Sequence, residues 1–168
     1  PRRRGGDGMS AVDSELAIER TLDAPRDAVW RAMTDHIAEW WCPRPWTTEV
    51  IALDWRSGGR FNLAMHGPDG EVHGGDGMLL EVAPGERIVF TNALGKDWQP
   101  QAARPMAIVG MFTLADAPDG RTLYRASARH WNEADAMKHD EMGFAQGWGI
   151  CADQLEQVAR RLKETADA

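Results

Sequence analysis

At 168 residues the chain is long enough to bury the core of one domain, and 43% hydrophobic with 27% charged residues is an ordinary globular balance. A formal charge of -7 repels phosphate backbones and argues against nucleic acid as a partner. No apolar run approaches the ~20 residues of a bilayer-spanning helix, so membrane insertion is not expected.

Residues 1–13 hold Arg2, Arg3 and Arg4 with several glycines and no apolar periodicity, so a disordered tail is expected there, followed by one domain over residues 14–165. Met9 is a candidate start, which would make residues 1–8 an upstream extension. No apolar segment follows the arginines in the manner of a signal peptide. Cys42 and Cys151 have no C-x-x-C spacing, so two reduced thiols in a cytoplasmic protein are expected.

From Leu16 to Leu22 apolar and polar residues alternate as in a half-buried strand. Asp23-Ala24-Pro25 breaks it, and Val29, Trp30 and Met33 follow at helical spacing. His36 to Trp41 suits a second short helical turn before Pro43 and Pro45 stop it. Strand patterns come next: Ile51, Leu53 and Trp55 up to the Ser57-Gly58-Gly59 turn, then Phe61, Leu63 and Met65 up to Gly67-Pro68-Asp69-Gly70. Val72 to Val82 reads as one strand with a bend at Gly74, Gly75 and Gly77. Pro84-Gly85-Glu86 turns the chain into residues 87–92, and a loop fills residues 95–105. Met106–Leu114 and Thr122–His130 are two further strands, joined by Asp116–Gly120.

The last element is a long helix. Phe144, Trp148, Cys151, Leu155, Val158 and Leu162 form one apolar stripe over about five turns. Its opening stretch contains Gly143, Gly147 and Gly149, and a glycine inside a helix costs about 1 kcal/mol relative to alanine. The helix is the only element long enough to cover an antiparallel sheet with one wet face. The order predicts an α+β fold in which a curved sheet of about seven strands wraps that helix, with two short helices after the first strand.

At this point the chain resembles a known family. Arg20-Thr21-Leu22-Asp23-Ala24-Pro25 and Val29-Trp30-Arg31-Ala32-Met33-Thr34-Asp35 look like the opening of the START-like superfamily, also called SRPBCC. Leu53–Phe61, Glu81–Thr91 and Gly143–Trp148 are similar to its branch named after the activator of heat-shock-protein ATPase. The resemblance spans residues 15 to 163 and implies the helix-grip fold, with a hydrophobic cavity between sheet and helix. Members of the superfamily bind lipids, hormones or polyketides, cyclise polyketides, sequester metabolites or stimulate a chaperone's ATPase.

The expected cavity wall comprises Phe61, Leu63 and Met65 from one strand and Met78 and Leu80 from another. Tyr124 and His130 share the inward face of a third strand with Ala126 and Ala128, while Gly147 and Trp148 come from the helix. Small residues on two facing surfaces leave either very close packing or a hollow. His130 and Tyr124 are the candidates for orienting a ligand. Trp40, Trp41 and Trp46 suggest a lid at the cavity mouth, and Trp98 a second lid element.

Asp54 and Arg56 read as pins of a hairpin. No catalytic triad, G-x-S-x-G or metal-ligand spacing is present, so no catalytic residue, metal or cofactor is assigned. The expected partner is a small, largely apolar molecule, and a homodimer is a further candidate assembly. Two rivals stand beside this reading. One is a cyclase- or hydrolase-like enzyme using His130 or Tyr124 as acid or base, and the other is a module that stimulates a chaperone ATPase.

Overall fold

The computed structural model describes residues 14–166, so the tail expected over residues 1–13 lies outside the described residues. Strand β1 spans Glu15–Leu22 and is followed by helix α1, Arg26–Asp35, and a 3-10 turn at Ile37–Glu39. Then come β2 (Thr47–Leu53), β3 (Phe61–His66), β4 (Val72–Gly75), β5 (Met78–Ala83), β6 (Arg87–Thr91), β7 (Ile108–Ala117) and β8 (Arg121–His130). Helices α2, Glu133–Glu141, and α3, Phe144–Ala166, close the chain.

All strand pairs are antiparallel. They form a five-stranded sheet in the order β1-β8-β7-β6-β5 and a three-stranded sheet in the order β2-β3-β4. The expected strand over residues 72–82 is therefore two strands, giving eight among the described residues. Its glycines mark the place where the chain leaves one sheet for the other. Phe61 N–H donates to the Gly77 carbonyl (3.2 Å) and Leu79 N–H to the Gly59 carbonyl (3.0 Å), which stitches the sheets together at this bend. A Cβ at Gly77 would lie 2.8 Å from the Thr91 carbonyl oxygen and 3.0 Å from that of Phe61, so only glycine fits where these backbones converge.

Helix α3 lies across the sheet as the stripe predicts. Phe144, Cys151, Leu155 and Val158 are buried, and so are Ala152 and Ala159, where the backbone runs close to its neighbours. Alpha and beta layers share one core containing Leu22, Val29, Met33, Ile88 and Phe112. This is the helix-grip arrangement.

Helix α2 was not expected. Its N-cap is Asn132, whose side-chain oxygen accepts the Asp135 N–H at 2.8 Å. The three glycines of residues 143–149 also separate into different roles. Gly143 lies between α2 and α3 rather than inside a helix, with φ +95°, a conformation that L side chains resist. Its N–H donates to the Asp140 carbonyl and its own carbonyl accepts the Gly147 N–H, so it closes one helix and opens the next. Gly149 is buried, and a Cβ there would lie 2.8 Å from the Arg20 guanidinium of β1. Gly147 is different, because a Cβ added there meets nothing within 4 Å.

Candidate functional site

The open space beside Gly147 belongs to a cavity of about 270 Å³ between α3 and the sheet. Its floor is a row of rings laid across three adjacent strands. Phe90 of β6 stacks near Phe112 of β7 at 5.8 Å between centroids, and Phe112 stacks near Tyr124 of β8 at 6.2 Å. Gly110 makes this row attainable, since a Cβ there would lie 2.2 Å from the Phe90 ring. Ala126, the cross-strand neighbour of Phe112, adds no bulk beside it.

Gly147, Trp148 and Cys151 of α3 form the roof. Trp40, Trp41 and Pro43 close one side, Met65 of β3 and Ile108 of β7 contribute further apolar wall, and His139 of α2 supplies a polar edge. Trp41 meets Phe61, Phe90 and Phe112 edge-on at 5.3, 5.6 and 5.9 Å. Such edge-to-face contacts favour one fixed arrangement of the rings.

The Trp40–Arg44 segment has little regular structure, and α3 holds it by hydrogen bonds. Gln154, 6% exposed, donates from Nε2 to the carbonyls of Trp40 (3.2 Å) and Cys42 (2.9 Å), and its Oε1 accepts the Arg44 N–H (3.0 Å). Cys151 Sγ donates to the Trp41 carbonyl at 3.3 Å, and Trp40 Nε1 to the Met33 carbonyl at 3.4 Å. Both cysteines are free thiols. Burial pushes the Cys151 thiol up to about 12 and raises that of Cys42, so both stay protonated near neutrality. Burial likewise raises the Tyr124 phenol far out of reach of ionisation.

Six of the residues expected to form the wall do so: Trp40, Trp41, Met65, Tyr124, Gly147 and Trp148. Phe61 and Leu63 belong to the adjoining core instead, with Phe61 behind Trp41. Met78 is buried but does not line the cavity. Leu80 is only half-buried, because a bulge between Leu79 and Glu81 turns Leu79 inward in its place. Ala126 and Ala128 are fully enclosed core residues.

His130 does not line the cavity either. Its Nδ1 bonds the Ser14 carbonyl and its Nε2 bonds His139, so both ring nitrogens are occupied. Trp46 packs by His73 at 5.3 Å, and Trp98 is 61% exposed beside Gly58 and Arg60, so neither is a lid over this cavity. Asp54 accepts from Arg56 Nε at 2.5 Å next to the Gly58-Gly59 turn, in agreement with a pinning role. Among the described residues no cluster of His, Cys, Asp or Glu forms a metal site, and no helix is long and apolar enough to cross a membrane.

Pro43, Phe90, Ile108, Phe112, His139 and Cys151 line the cavity without having been expected there. The alternation Phe90–Ile88 and Phe112–Leu114 could have supplied two of them, since each pair shares one strand face. His139 needed helix α2, and Asn132 followed by Asp135 was its only local signal.

The family model described as "Activator of Hsp90 ATPase homolog 1-like protein" matches residues 23–160. The chain belongs to that family. A crystal structure of a protein from Nitrosomonas europaea is 33% identical, with a TM-score of 0.82, over 90% of this chain and 97% of that one. A Chromobacterium violaceum protein is 25% identical over 87% and 96%, with a TM-score of 0.66. A Mycobacterium smegmatis protein is 22% identical over 89% and 92%, with a TM-score of 0.72, and shares the fold. No curated protein matches the chain.

Proposed function

We propose that this member of the family binds a small, largely apolar molecule between α3 and the ring-paved sheet. The observation that carries the reading is Gly147: a helix position facing the sheet where a side chain would meet empty space. A glycine that served only close packing would show a nearby neighbour, as Gly149 does. Here the missing side chain keeps the cavity open, and its walls are the apolar and aromatic kind that ligand sites use.

Size narrows the ligand. An apolar cavity of ~150 Å³ holds benzene, and typical ligand pockets begin near ~300 Å³. A volume of about 270 Å³ therefore suits one or two aromatic rings rather than a long acyl chain.

A thermal-shift screen with one- and two-ring aromatics against medium-chain fatty acids tests this. A true ligand at 100 times its Kd adds about 2.7 kcal/mol to stability and raises the Tm. Tm values that stay fixed for every aromatic compound would remove the reading.

A further inference from the structure

Two imidazoles at the edge of the cavity form a chain whose protons can be placed by chemistry alone. His130 Nδ1 lies 2.7 Å from the Ser14 carbonyl oxygen, and His130 Nε2 lies 2.8 Å from His139 Nδ1. A carbonyl oxygen only accepts, so the hydrogen between Ser14 and His130 resides on Nδ1. His130 is 6% exposed, and a second proton there would put a cation in an enclosed site with no carboxylate of the described residues bonded to it. His130 Nε2 is therefore a lone pair. The hydrogen it accepts is carried by His139 Nδ1.

That leaves His139 Nε2 as a lone pair, and His139 is the member of the pair that lines the cavity. Phe144 and Trp148 hold its ring edge-on at 5.1 and 6.3 Å. Burial keeps His139 below the ordinary histidine pKa, which favours the neutral ring. Among the described residues no lysine or arginine lines the cavity.

Resting on the ligand-binding reading above, we propose that His139 Nε2 is the acceptor that selects the ligand. The ligand class is a one- or two-ring aromatic with a neutral hydroxyl or ring N–H. Carboxylates are disfavoured on two counts: no cation among the described residues faces them, and their oxygens would meet a lone pair. Tyr124 cannot make the same choice, because a phenol hydroxyl both donates and accepts and so accommodates either kind of ligand. His130 is a positioning residue, since it fixes the tautomer without touching the cavity.

The test is calorimetric titration at pH 7.5 with naphthalene, 2-naphthol and 2-naphthoate. The wild type should bind 2-naphthol about 10-fold more tightly than naphthalene, the worth of one hydrogen bond, and 2-naphthoate most weakly. In His139→Phe the two affinities should converge, so that the preference for 2-naphthol over naphthalene falls from about 10-fold to about one. Nitrogen-15 NMR of the wild-type histidines should show protonated Nδ1 and unprotonated Nε2 on His139.

Equal binding of naphthalene and 2-naphthol by the wild type would overturn this inference and leave the cavity reading standing. Binding of none of the three would overturn both. A preference that survives in His139→Phe but vanishes in Tyr124→Phe would show that the acceptor has been misassigned.

Discussion

Gln154 of α3 donates a hydrogen bond to the Cys42 carbonyl at 2.9 Å, across 112 positions of sequence. With its bonds to Trp40 and Arg44, this one side chain occupies the backbone of the segment that places two tryptophans on the cavity wall. The lid-like segment is thus part of the grip rather than a loop draped over it. Gln154→Leu should keep the packing volume but leave three enclosed backbone groups without partners. Each costs about 1–3 kcal/mol, partly relieved by water, so a net loss of about 2–4 kcal/mol is expected in urea unfolding. A loss below ~0.5 kcal/mol would show that the segment holds itself.

The Cys151 thiol, held near 12 by burial, has a thiolate fraction of about 10⁻⁴ at pH 8. Native protein should therefore react with a disulfide reagent far more slowly than the urea-unfolded chain, and a bound cavity ligand should slow Cys151 further. A fast native reaction at Cys151 would contradict the enclosure of the roof.

His139 makes stability depend on pH in a defined direction. Its folded-state pKa lies below that of the unfolded chain, so the unfolded state binds the extra proton first. The contribution is complete above the unfolded value of ~6.5 and is lost as pH falls from there through the folded value. Burial of the ring is the main cause of the shift. Thermal unfolding between pH 7.5 and 5.5 should show a Tm that falls more steeply in wild type than in His139→Phe. Parallel curves would remove His139 from the account.

The fold was largely legible because its punctuation is local. Pro25, the Gly58-Gly59 turn and Pro84-Gly85 sit where elements end, and the stripe from Phe144 to Leu162 announced the gripped helix. What escaped depends on tertiary context. Leu79 and Leu80 cannot be ranked from alternation, because a bulge shifts the register by one residue between them and Glu81. His139 reaches the cavity only because α2 folds back beside β8, and nothing local marks Gln154, because its three backbone partners lie on a distant segment of the chain. Gly143 was legible as an oddity but not as a joint.

That joint has its own consequence. With φ +95° required at residue 143, Gly143→Ala should destabilise the protein by about 1–2 kcal/mol, although alanine is the better helix former. Gly147→Ala, in a helical position with free space, should instead raise stability by up to ~1 kcal/mol. Opposite signs at two glycines four residues apart would separate joint from cavity. Equal signs would not fit these roles.

The most direct measurement concerns Gly147 itself. Titration of 2-naphthol into wild type and Gly147→Leu, with circular dichroism and Tm recorded for both, tests whether the space beside this helix position is where the ligand goes. The wild type should bind saturably and Gly147→Leu should not, with the fold and Tm retained. Undiminished binding by Gly147→Leu, or unfolding of that variant, would contradict this placement of the ligand.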